Sequence, residues 1–268
     1  MRQHNNLFGL DHRTIILTGG LGTMGVSLSK TLLMQGADII SADLSESPET
    51  EVWNPLLATA THTGGQIVYI QCDVTNEDSV AKAFEKAETA ARHPIRGLVT
   101  LAGISGRCPA IDYPLSAFRK IIDVNVIGTF LCATAAARIF HRQMVSGSIV
   151  MFGSMSGTNV NRGVDTAAYN TSKSAVLQLA RNLAAEWGND GIHPAIRVNT
   201  VSPGYIIGPM TIPTLEQLQL KDLWEGGNML GRLSTAEEHQ SSVVFLLADG
   251  SSYVTGMDLR ADGGHCAW

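Results

Sequence analysis

The chain has 268 residues, 44% of them hydrophobic and 16% charged, with a formal net charge of −5. That balance calls for a large, filled core and excludes a disordered chain, while the mild acidity without a Lys/Arg run excludes the electrostatic footprint of a nucleic-acid binder. The polar start MRQHNNLFGLDH does not read as a secretory signal, and the weakly charged stretch 124–137 falls short of the roughly 20 residues that span a bilayer. Cys72, Cys108, Cys132 and Cys266 form no C-x-x-C pair, and the histidines show no ligand spacing, so a soluble cytoplasmic protein with no membrane, nucleic-acid or metal partner is expected.

Apolar runs alternate with helical stretches along the chain. Thr14–Thr18 reads as a first strand, followed by a glycine loop and a helix carrying Val26, Leu28, Leu32 and Leu33. Ala37–Ala42 and Gln66–Gln71 read as strands, then Asp78–Ala91 as a helix. Gly97–Leu101 precedes a long helix from about Ser116 to Arg142, and Ser148–Phe152 precedes another from about Ala168 to Trp187. Ile196–Val201 is the sixth strand; helix Ala236–Ala248 and a short strand near Met257–Arg260 close the pattern. Continuously apolar strands separated by helices of a dozen residues imply an α/β fold, a doubly wound parallel sheet of about seven strands in a single domain spanning 1–268. Residues 203–228, rich in proline and glycine, read as a substrate lid or as a plain surface excursion with one short amphipathic helix.

The loop TGGLGTMG follows the first strand and opens a helix, the context in which a glycine motif holds a nucleotide. Glycines let the backbone approach a pyrophosphate, and the helix N-terminus presents free N–H groups to it. Asp43 closes the second strand eighteen residues after Gly25, the place of a carboxylate that grips the adenosine ribose. A carboxylate there repels a 2′-phosphate, so NAD is expected over NADP. Asp73, in Cys72-Asp73-Val74, either accepts from an adenine amino group or caps a helix with Thr75.

Tyr169 and Lys173, in AAYNTSKSAV, lie four residues apart and share one helix face. A phenol titrates near 10, and lowering it by roughly 2–3 units needs about 3–4 kcal/mol, a reasonable demand on Lys173 together with a cationic nicotinamide. Ser154 follows the fifth strand, at the strand ends where open α/β sheets bind ligands, and its hydroxyl can donate to a carbonyl oxygen gaining charge. Ser156 is its rival. Asn125 interrupts an apolar helix and either holds a proton-relay water or pins a neighbouring backbone.

These pieces resemble the short-chain dehydrogenase/reductase family from about Leu7 to Gly264: TGGLGTMG, Asp43, Asp73-Val74, Ala102-Gly103, Asn125, Ser154, Tyr169…Lys173, Arg197-Val198-Asn199…Pro203-Gly204 and Asp262-Gly263-Gly264. The resemblance implies Tyr169 as proton donor and acceptor, Lys173 as its partner and ribose binder, Ser154 as carbonyl positioner and Asn125 as holder of the relay water. It implies a cofactor site of Gly19, Gly22, Thr23, Met24, Gly25, Asp43, Asp73, Val74, Ala102, Gly103, Pro203, Gly204 and Ile206 with Tyr169 and Lys173, and a homo-oligomer, tetramer or dimer. SMSGTNVN…AAYNTSK looks like the polyol dehydrogenase and ketose reductase branch, with Ser156, Asp165 and Tyr205 facing substrate. Asp165 would bind a hydroxyl or cationic group, or stand solvated on its loop.

The chain departs from the branch pattern in three places. Thr23 stands where it has glycine, the glycine having moved to Gly22; Thr100-Leu101 replace two asparagines; Gly208 replaces a threonine for which Thr211 could substitute. The loop thereby reads as TGxxGxxG, the spacing of extended relatives and polyketide ketoreductase domains. The expected activity is hydride transfer between a nicotinamide cofactor and a secondary alcohol or ketone on a small-molecule substrate, a polyol or ketose. Two other readings stand beside it: a tailoring ketoreductase for a bulkier ketone or 3-oxoacyl thioester, and a non-redox cofactor-binding member of the fold.

Overall fold

A computed structural model describes residues 7–268. Seven parallel strands, β1 (Thr14–Thr18), β2 (Asp38–Asp43), β3 (Ile67–Gln71), β4 (Ile95–Thr100), β5 (Gly147–Phe152), β6 (Ile196–Pro203) and β7 (Asp258–Ala261), form one sheet in the order β3-β2-β1-β4-β5-β6-β7. Alternate side chains go to opposite faces: Ile16 and Ile40 enter one core, Ile15, Leu17 and Ile39 the other. Both faces are therefore apolar, which is why β1 is buried at every position. The chain reverses its winding between β1 and β4, so the loops after these strands diverge and leave a crevice at their carboxyl ends.

Helices α1 (Thr23–Met34), α2 (Thr50–Thr63), α3 (Glu77–Ala90), α4 (Leu115–Ile122), α5 (Gly128–Arg142), α6 (Ala167–Trp187), α7 (Ile212–Gln217), α8 (Lys221–Glu225) and α9 (Gln240–Leu247) supply the crossovers and the excursion after β6. Helix α2 is not among the elements expected from the sequence; it carries Pro55 inside it. The long helix expected over 116–142 is α4 and α5 joined by a π turn, Asp123–Ile127. This run of 28 residues is apolar enough to cross a membrane by length and hydropathy, and 44% of its most apolar window is buried inside the fold. The excursion holds two short helices rather than one, with Leu220 and Trp224 buried against Met155 and Tyr205.

Candidate active site

The β1–α1 loop is built by close approach. Gly19 has φ +67°, and a Cβ there would lie 2.6 Å from the Ala102 nitrogen on the β4 loop. A Cβ on Gly25 would lie 2.5 Å from the Gly19 oxygen. Gly22 stands at the N-cap of α1, whose first turn has neither a capping side chain nor an acidic residue, leaving its N–H groups to an anion. The Asp43 carboxylate accepts from Leu21 N at 2.9 Å and Leu44 N at 2.7 Å, which fixes the loop against the end of β2.

Ser154 caps a short 3₁₀ turn after β5, and its Oγ accepts from Ser156 N at 3.1 Å. Tyr169 lies in the first turn of α6 and Lys173 one turn later, its Nζ 5.7 Å from the Tyr169 ring centroid. Lys173 Nζ donates to the Phe152 carbonyl at 2.7 Å. Burial lowers the Lys173 pKa to about 8. Burial also raises Tyr169 above 10.0, with its Ser154 hydrogen bond acting in the opposite direction. The protein alone thus leaves the phenol protonated: desolvation outweighs the Ser154 hydrogen bond.

Asn125 is buried in the π turn. Its Oδ1 accepts from Ile104 N, and its Nδ2 donates to Ile104 O and Ser172 Oγ, each at 2.9 Å. Ser172 Oγ in turn donates to Tyr169 O at 2.7 Å. Of the two roles read for Asn125, this geometry carries the pinning of a neighbouring backbone, and it ties the β4 loop to the start of α6.

Two cavities meet at these residues. One, of about 490 Å³, is lined by Gly19, Gly22, Thr23, Met24, Gly25, Gly103, Lys173, Pro203 and Ile206 among others. The other, of about 340 Å³, is lined by Ser105, Arg107, Ser156, Asn161, Val164, Thr166, Tyr205, Thr214 and Trp224 among others. Ser154, Tyr169, Gly204, Met210 and Thr211 line both. The first cavity, with its glycine cradle and uncapped helix terminus, fits a dinucleotide running from α1 to Lys173.

Some expected residues stand elsewhere. The Asp73 carboxylate accepts from Thr75 N at 2.9 Å and Thr75 Oγ1 at 2.7 Å, the turn-capping arrangement. Val74 packs against Gly128, and Ala102 lies behind Gly19. Asp165 is exposed and lines neither cavity, while its carbonyl accepts from Cys108 N at 3.0 Å. Thr211 Oγ1 donates within its own loop, to Ile206 O and Gly208 O. The Thr100 hydroxyl is buried without a partner. Phe152 and Arg107, missed in the sequence, act through a backbone carbonyl and a loop tip, neither of which leaves a residue-type signal. The absence of a metal site was read from linear spacing; in space, His141, Asp190 and His193 come together.

A family model described as Enoyl-(Acyl carrier protein) reductase matches residues 21–265. Short chain dehydrogenases/reductase notP' of Aspergillus versicolor is 50% identical, over 98% of this chain and 90% of its own. The chain belongs to the short-chain dehydrogenase/reductase family. D-arabinitol 2-dehydrogenase [ribulose-forming] of Candida tropicalis is 34% identical, over 97% of this chain and 95% of its own. The solved structure of a gluconate 5-dehydrogenase from Burkholderia cenocepacia J2315, in complex with NADP and tartrate, matches with a TM-score of 0.88 at 26% identity, covering 98% of each chain. This short-chain dehydrogenase/reductase is an NAD(P)-dependent oxidoreductase that moves a hydride between a secondary alcohol and a ketone.

Proposed function

We propose that this enzyme interconverts a secondary hydroxyl and a ketone on a polyol- or ketose-sized substrate and prefers NAD(H). The observation that carries the reading is the position of Ser154 and Tyr169, which line both cavities and so face a cofactor on one side and a substrate on the other. The smaller cavity is edged by Ser105, Ser156, Asn161, Thr166 and Thr214, donors and acceptors suited to several hydroxyls. The arabinitol enzyme among the relatives supports the same class.

The roles follow from placement. The nicotinamide, when bound, supplies or accepts the hydride. Ser154 Oγ donates to the substrate oxygen as charge develops on it. Tyr169 gives that oxygen a proton in reduction and takes one in oxidation. The Lys173 ammonium favours the phenolate and is positioned to hold the nicotinamide ribose. Asn125 fixes the backbone on which Tyr169 stands. The segment 203–228 closes over the substrate, with Arg107, which lines the smaller cavity, donating to Gln217 at the end of α7.

The lean toward NAD rests on the Asp43 carboxylate at the end of β2, which disfavours a 2′-phosphate. A cytoplasmic homo-oligomer suits Ile127 and Phe130, exposed at 44% and 42% near the start of α5. A second reading, a bulkier cyclic ketone, is favoured by the apolar wall in which Tyr205 and Trp224 stack at 3.8 Å beside Met155 and Val164.

Initial rates with polyols, ketoses, cyclic ketones and 3-oxoacyl thioesters, each with both cofactors, test the proposal. Turnover of polyols or ketoses with NAD(H) favoured over NADP(H) is expected. Turnover confined to cyclic ketones or thioesters overturns the substrate class, and tighter NADPH than NADH binding overturns the role of Asp43.

A further inference from the structure

The end of the sheet opposite the reaction cavities, at the amino ends of β5 and β6, carries a second cluster of chemically competent side chains. His141 lies in the last turn of α5, and His193 lies in the loop between α6 and β6. Their imidazole rings stack with centroids 3.8 Å apart and planes 5° from parallel. Asp190 Oδ2 is 2.7 Å from His193 Nδ1. The other oxygen, Oδ1, accepts from Ile192 N at 2.9 Å and His193 N at 2.8 Å.

The loop's own amides therefore fix the carboxylate, and the carboxylate fixes the imidazole. A proton held on Nδ1 toward Asp190 leaves the His193 Nε2 lone pair free. This is the outer-shell arrangement by which carboxylates orient metal-binding histidines. One ligand atom from each of His141, Asp190 and His193 can be chosen so that all lie within 4.8 Å of one another. Both histidines are half-buried, and their other sides open to solvent, so neither ring is needed to fill a core.

We propose that His141 and His193, with Asp190 orienting the second ring, bind one borderline divalent transition-metal ion of the Zn²⁺, Ni²⁺ or Cu²⁺ class. Imidazole–zinc bonds of about 2.0–2.1 Å place two ligand nitrogens roughly 3.3 Å apart in a tetrahedral site. Ligation requires the stacked rings to splay by side-chain rotation to this spacing, and water completes the coordination. Nitrogen ligands discriminate against Mg²⁺ and Ca²⁺, which take oxygen. The bound ion would clip the loop before β6 to the end of α5, remote from the hydride-transfer site.

The test is isothermal titration of untagged, chelator-stripped full-length protein with ZnCl₂, NiCl₂ and MgCl₂. One Zn²⁺ or Ni²⁺ per chain with no Mg²⁺ uptake is expected. Affinity should fall at least tenfold in His141→Ala and in His193→Ala, and less in Asp190→Asn, with hydride-transfer rates unchanged in all three. No zinc or nickel binding by the wild type, or equal binding by both alanine variants, overturns the proposal. Should a variant fail to fold, wild-type imidazole resonances decide: zinc must shift those of His141 and His193 and leave those of His62 and His93 in place.

Discussion

Two alanine substitutions in the β1–α1 loop separate the fold from its ligand. Gly22 has φ −70° and ψ 165°, which alanine adopts freely, and a Cβ there meets only the Gly19 oxygen at 3.4 Å. Reduced freedom of the unfolded chain stabilises such a change by about 0.4–1 kcal/mol, while alanine is the poorer N-cap by a similar amount. Gly22→Ala should therefore keep its stability within about 1 kcal/mol, a Tm shift of no more than roughly 2–4 °C. The added methyl occupies the cavity beside the free amides of α1, so NADH affinity should fall at least tenfold, which is about 1.4 kcal/mol. Gly25→Ala is the opposite case. Its Cβ would lie 2.5 Å from Gly19 O and 2.6 Å from Gly20 C and Cα, all backbone, and overpacking of this kind costs about 1–3 kcal/mol. Thermal unfolding by circular dichroism and NADH titration by fluorescence measure both quantities on each variant. A Gly22→Ala protein that binds NADH like the wild type, or a Gly25→Ala protein of wild-type stability, refutes the reasoning.

Asn125→Ala strips the partners from Ile104 N–H and C=O, each worth about 1–3 kcal/mol when left buried, so the denaturant midpoint should drop together with kcat. An unchanged midpoint would show that water replaces the amide at no cost. Lys173 titrates at about 8 in the folded protein against 10.5 for an ordinary ammonium, so between those values the unfolded chain holds the extra proton and stability rises with pH. Lys173→Met should abolish this rise; a wild-type-minus-variant stability difference that stays flat across the window contradicts the buried ammonium.

The sheet was readable because both faces of its centre are covered: inner strands such as β1 and β5 are buried at every position, a pattern that survives without any partner in view. Tyr169, Lys173 and Ser154 were readable because α6 and β5 are regular, so spacing alone places them at one crevice. Asp73 and Asp165 show where spacing stops informing. Both occupy loops, and their partners, Thr75 and solvent, are set by turn geometry that no periodicity encodes. The π turn at Asn125 was hidden for a related reason, since one extra residue in a helical turn leaves the apolar pattern almost intact. His141 and His193 lie far apart in sequence and meet only because α5 and the loop before β6 both reach the amino-terminal end of the strands.

The central claim is that Tyr169 passes the proton at a site that binds cofactor independently of it. The direct measurement is the rate of change in reduced-nicotinamide absorbance for Tyr169→Phe, with NADH affinity determined on the same sample. A loss of turnover by about three orders of magnitude or more with NADH affinity near wild type is the expected result. Turnover retained at a comparable rate would contradict the assignment.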